Sequence, residues 1–144
     1  MITFVSADGM PLPPKRRWLR SWLVEVAAQH EARIEHLSYA FGSSAWMENL
    51  NQEFLNHEGD TDILTFDYSE NPKDGIIHGE CCISPSMIRE QAKVWGASFE
   101  DEMHRVLVHG LLHLLGYDDQ TDLDKRTMRR HEEEALAIRS RIKA

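Results

Sequence analysis

Residues 106–119 read Val-Leu-Val-His-Gly-Leu-Leu-His-Leu-Leu-Gly-Tyr-Asp-Asp, and this run sets the centre of the fold. Val106, Leu107, Val108, Leu111, Leu112, Leu114 and Leu115 make a helix that is apolar nearly all round, which means that it is buried. His109 and His113 are four apart, one above the other on one helix face, so their imidazoles can meet a single ion. A buried imidazole needs a partner, because leaving it unsatisfied costs about 1–3 kcal/mol. Two arrangements supply one: a shared metal ion, or a separate hydrogen-bond partner for each ring. Gly116 suits the left-handed conformation that ends a helix, and Tyr117, Asp118 and Asp119 can then fold back to bring a carboxylate to the same ion. Three protein ligands from one segment leave a fourth position open for water, as in a catalytic rather than a structural zinc site.

Outward from this helix, the chain alternates strand and helix patterns. Residues 1–6 are β-rich, and the prolines of Met10-Pro-Leu-Pro-Pro14 lead into a helix over 15–30. Apolar alternation predicts a strand over 34–41, and Gly42-Ser43-Ser44 caps a helix over 45–55. Residues 56–60 form a polar loop. Residues 63–68 are rich in β-branched and aromatic side chains, and the turn Asn71-Pro-Lys-Asp-Gly75 returns the chain over 75–84 as a hairpin partner. Ser84-Pro85 opens a helix that Gly96 ends, Ser98 with Asp101 caps the histidine helix, and Thr121 with Asp124 caps the last one. The order βαβαββααα predicts an α+β, mixed α/β chain with one domain over 1–144, built on a mixed sheet of about four strands covered by helices.

Composition narrows the function. The net charge of −8 over 144 residues argues against a surface that is basic throughout, though not against a local basic patch. Lys15, Arg16, Arg17 and Arg20 gather at one helix start, and Lys125, Arg126, Arg129, Arg130, Arg139, Arg141 and Lys143 populate the last helix. The simplest reading is a solvated face, with Arg129 and Arg130 paired to Glu132, Glu133 and Glu134 at helical spacing. Cys81 and Cys82 are adjacent and point to opposite faces of a strand, which disfavours a disulfide and suits a reducing compartment; they read as small core residues. No apolar leader and no run approaching eighteen apolar residues is present, so a cytoplasmic protein without a membrane span is expected. Trp18, Trp22, Trp46 and Trp95 sit at helical positions and read as core, with base stacking as the alternative.

The run His109 to Asp118 resembles the signature His-Gly-x-Leu-His-Leu-x-Gly-Tyr-Asp-His of the YbeY family at every fixed position but the last. Two further stretches agree in order. Asn51, Phe54, Thr61, Asp62, Leu64 and Phe66 resemble Asn-x-x-Tyr-Arg-x-x-Asp-x-Pro-Thr-Asp-Val-Leu-Ser-Phe, and Gly79-Glu80-Cys81-Cys82-Ile83-Ser84 resembles Gly-Asp-Ile-x-Ile-Ser. The resemblance covers most of the chain. It implies a metal-dependent single-strand endoribonuclease of ribosomal RNA processing, acting at the 3′ end of 16S rRNA and in ribosome quality control, with the small ribosomal subunit as partner. It also implies one divalent metal, zinc first, bound by His109, His113 and the residue at 119.

Two departures stand out. Asp119 occupies the place of the family's third histidine and makes a two-histidine, one-carboxylate set, whose harder oxygen admits manganese, nickel or iron as competitors; Asp118 is the rival ligand. Leu55 occupies the place of an arginine thought to contact phosphate or stabilise charge, which leaves Asn56 or His57 to substitute. His57 is the candidate catalytic residue, a general acid or an RNA contact, against a plain solvated loop histidine. Asp62 reads as a strand-end cap. Two other functions compete. A minimal zinc amide or peptide hydrolase needs the glutamate of His-Glu-x-x-His, where this chain has Gly110; a non-catalytic ribosome-associated metal protein fits Leu55 better.

Overall fold

A computed structural model describes residues 1–55, 62–71 and 74–143; of Phe54 and Leu55 it describes the backbone. The elements are β1 (Ile2–Ser6), α1 (Arg16–Gln29), β2 (Arg33–Phe41), α2 (Ser44–Leu50), β3 (Ile63–Asp67), β4 (Ile76–Ile83), α3 (Pro85–Trp95), α4 (Phe99–Leu114) and α5 (Asp122–Ala137). This is the expected order. The predicted helix over 45–55 divides: its regular part ends at Leu50 and a π-helical turn, Asn51–Leu55, follows.

The sheet order is β1-β2-β4-β3. β1 and β4 flank β2 in parallel, with Ile2 opposite Leu37 and Leu37 opposite Gly79, whereas β3 runs antiparallel to β4, with Ile63 opposite Ile83. The sheet is therefore mixed, and the predicted hairpin is its β3–β4 edge.

Alternation along the strands divides the core between two faces. Leu37, Tyr39, Phe41, Cys81 and Ile83 pack with Trp22, Leu23, Leu107 and Leu111 of α1 and α4, while Ala40, Leu64 and Cys82 pack with Met47 of α2. The two cysteines are free and buried on opposite faces, and burial pushes both thiols well above their usual range, which leaves them inert as core residues. Trp22 is fully buried, and Trp18 and Trp46 are partly so; Trp95, by contrast, is 65% exposed and not core. It is the last residue of α3, next to the C-cap Gly96.

The histidine helix sits as close to the sheet as chemistry permits. A Cβ at Gly110 would lie 2.7 Å from Cys81 Sγ and 2.8 Å from Ile63 Cδ1, and one at Gly79 would meet Leu114 Cδ2 at 2.7 Å. Tyr39 crosses the same interface and donates its hydroxyl to Leu107 O at 2.8 Å. Ser98 caps α4 by accepting from Asp101 N, and Thr121 with Asp124 closes a full capping box on α5. No helix among the described residues is long and apolar enough to cross a membrane.

Candidate metal centre

α4 ends at Leu114, and Gly116 follows with φ +106°, the left-handed turn read from the sequence. The turn swings residues 117–119 back alongside the helix. Asp119 Oδ2 comes to 3.5 Å from both His109 Nε2 and His113 Nε2, and the two Nε2 atoms are 3.0 Å apart. Each ring is about three-quarters buried, with one edge left toward solvent.

These three atoms test the fit of a metal. A tetrahedral ion holding ligands at about 2.0–2.1 Å keeps them roughly 3.3 Å from one another. Separations of 3.0, 3.5 and 3.5 Å bracket that edge. Among the described residues, His109, His113 and Asp119 are the His, Cys, Asp or Glu group whose ligand atoms converge in this way. Asp118 turns elsewhere: it is exposed, and its Oδ1 accepts the backbone N–H of Asp119 at 2.8 Å.

Behind these three side chains is a layer that local sequence reading missed. Glu132 of α5 is buried, and its Oε2 lies 2.8 Å from His109 Nδ1, while its Oε1 accepts from Arg105 Nη1 at 2.9 Å. Arg105 also donates to Glu133 at 2.7 Å. Arg129 and Arg130 were expected to pair with the glutamates of their own helix; Glu132 and Glu133 instead reach across to α4, and Glu134 binds His131. The buried partner wins because its ion pair is less screened than a surface one. The signal was faint: Glu132 recurs on the inward side of α5 with Met128 and Ala135.

The charges set the protonation pattern. Burial would lower His109, but its hydrogen bond to Glu132 and the charges of Glu132, Asp119 and Asp62 leave it raised above the ordinary histidine value. Burial and the charge on His109 lower His113, with Asp119 opposing. Glu132, which burial would raise, is held below its usual value by His109 and Arg105. Burial raises Asp62, partly offset by His109 and by backbone N–H groups at its own position and at Ile63; the strand-end capping role holds, and the side chain also faces the site. A carboxylate behind one imidazole fixes which nitrogen carries the proton and leaves Nε2 with its lone pair, the form that can bind an ion.

A cavity of about 1020 Å³ opens from this point, bordered at one end by Asp62, His109 and Asp119 and running between α3 and α5. His57, with Asn56 and Asp60, lies outside the described residues, as does the side chain of Leu55.

Comparison with known proteins agrees with this geometry. Residues 9–139 match the family model described as Endoribonuclease YbeY. A curated Endoribonuclease YbeY from Cytophaga hutchinsonii is 40% identical over 138 residues, covering 96% of this chain and 95% of its own, and one from Porphyromonas gingivalis is 38% identical over 133 residues, covering 92% and 86%. A solution structure of a Thermotoga maritima protein superposes with a TM-score of 0.65 at 25% identity, covering 95% of this chain and 90% of that one. With a family model spanning nearly all of it and relatives at this identity along most of its length, the chain belongs to the YbeY endoribonuclease family.

Proposed function

We propose that this chain is a metal-dependent endoribonuclease that cuts single-stranded RNA, with ribosomal RNA precursors as substrate. The observation that carries the reading is the convergence of His109, His113 and Asp119 at the end of a large open cavity, in a chain of this family. Within that reading, the three side chains hold one divalent ion, zinc first, with manganese, nickel or iron competing for the carboxylate-containing set. Such an ion supplies Lewis acidity toward a phosphoryl oxygen and an acidified water near neutral pH.

The protein's own groups do the rest. Glu132 holds the Nδ1 proton of His109, so that Nε2 keeps its lone pair toward the site, and Arg105 keeps Glu132 charged and fixed. Asp62 borders the cavity beside His109, and burial raises its carboxyl above the usual value while His109 and backbone N–H groups oppose that rise. His57 is assigned to proton donation or an RNA contact. The domain is the whole of 1–144, its place the cytoplasm, its partner the small ribosomal subunit and its step the 3′ end of 16S rRNA with ribosome quality control; the family resemblance supports these assignments.

Amide hydrolysis is disfavoured by more than a missing side chain. Position 110 faces Cys81 and Ile63, where no glutamate fits. A non-catalytic ribosome-associated factor remains the second reading, favoured by Leu55. Elemental analysis of protein purified without a metal-affinity tag, followed by single-stranded RNA cleavage with and without chelator, separates the two. The expected result is near-stoichiometric metal and chelator-sensitive cutting; metal-loaded protein that leaves RNA intact establishes the second reading instead.

A further inference from the structure

The cavity that begins at His109 and Asp119 continues well beyond them, and its far walls carry side chains that the metal does not use. On α5, Lys125 and Arg129 border it, four residues apart and so on one helix face, about 6 Å along the axis. Both are exposed. The other cations of the cavity are committed: Arg105 to Glu132 and Glu133, and Arg139 to Asp101. Neither Lys125 nor Arg129 takes part in an ion pair among the described residues. On the opposite wall, Gln91 and Trp95 of α3 are also four apart, and Trp95 is 65% exposed.

Trp95 leaves most of its indole in water where it borders the cavity, open to whatever enters it. Six carboxylates also line the cavity, of which Glu132, Glu133 and Asp101 are paired with Arg105 and Arg139 and Asp119 belongs to the candidate metal set, leaving Asp62 and Glu102. Against these, the unpaired cations of α5 and the bare aromatic face of α3 supply what a single nucleic-acid strand uses: charge to track its phosphates, and a ring on which a base stacks. A duplex, whose bases are stacked already, has no use for the indole.

We infer that this cavity is the track along which the RNA strand reaches the metal centre, with Lys125 and Arg129 holding two successive phosphates and Trp95 stacking an unpaired base. The inference rests on the endoribonuclease reading and adds residues that bind the strand away from the reacting phosphate. They are positioning residues, so their loss falls on KM and leaves kcat largely intact. Gln91, one turn before Trp95, is placed to meet the edge of the stacked base.

The test is steady-state cleavage of a fluorescent single-stranded RNA by the metal-loaded enzyme across a range of salt. The double variant Lys125→Ala/Arg129→Ala is expected to raise KM and to flatten the log–log salt dependence of kcat/KM by about 1.4, two phosphate contacts at about 0.7 each on a single strand. Trp95→Ala is expected to raise KM about 5- to 150-fold at unchanged metal content, and Trp95→Phe to restore most of the loss. If the wild type cuts RNA while both variants keep its KM and its salt slope, the track is overturned and the nuclease reading stands. Should the metal-loaded wild type cut nothing, the nuclease reading falls, and filter binding of the same RNA decides the track. Binding that weakens in both variants upholds it, and binding unchanged by them, or none at all, overturns it.

Discussion

Helix α4 carries His104 only five residues before His109, yet the two ends of this helix treat an imidazole in opposite ways. His104 is 8% exposed and lies against Trp18 and Trp22, with ring centroids 5.4 and 5.3 Å away. Its Nδ1 accepts from Arg139 Nη1 at 2.8 Å, an arrangement open only to a neutral ring. Burial first, and then the charge of Arg139, bring its pKa down to about 4. His109, on another face, is backed by Glu132 and faced by Asp119 and stays raised. Burial therefore does not make a metal ligand. What distinguishes the second environment is a carboxylate on each side and an imidazole one turn away.

Removing a ring tests this contrast most strongly. His109→Ala or His113→Ala is expected to cost several kcal/mol of metal binding and to abolish metal-dependent cleavage, while His104→Phe keeps metal content at wild-type level. Elemental analysis of the three variants checks it, and loss of metal on changing His104 erases the distinction.

Acid is expected to reveal His104 next. The unfolded chain takes up its proton near 6.5 and the folded chain only near 4, so between those values the unfolded state holds more protons and stability falls as the pH falls. The contribution is complete above pH 6.5 and amounts to something on the order of 3 kcal/mol lost by pH 4. Denaturant unfolding of metal-free protein across pH 4–7 is expected to show that slope, and His104→Phe to lack it.

Glu132→Gln probes the other side of the comparison. The amide still accepts from His109 but carries no charge, so metal affinity is expected to drop about 10- to 100-fold, read by competition with a chromogenic chelator. The smallest effect belongs to Asp118→Ala, which removes an exposed carboxylate engaged with the backbone of Asp119. Affinity within tenfold of wild type is expected there, against a much larger loss in Asp119→Ala; the reverse order reassigns the third ligand.

The sequence was legible wherever the causes of structure were local. The caps Ser98 and Thr121, the terminator Gly116 and the four-residue histidine spacing each act within a turn or two, and each appears where it was read. The β3–β4 hairpin was likewise readable from its turn. The insertion of β4 between β2 and β3 was not, because parallel pairing crosses helices and leaves no short-range mark. The link from Glu132 to Arg105 spans 27 residues, and local arginines offered a more visible partner. Trp95 failed for a related reason: helical spacing says which face a residue occupies, not whether another element covers that face.

The contact between Gly110 and Cys81 bears on what this protein can become. An exchange at Asp119, which is only half-buried on the turn after α4, leaves the helix–sheet packing alone, so the ligand set can drift without the scaffold. A glutamate at 110, the residue by which helical zinc peptidases take a proton, would enter a space of less than 3 Å between helix and sheet. Reaching it demands that α4 lift from β3 and β4 together, at the expense of Leu111, Leu114 and Tyr39 packing. Conversion to peptide hydrolysis is thus barred not by a lack of catalytic residues but by the absence of any gradual route, and directed evolution of this scaffold should explore new phosphodiester substrates long before new bonds.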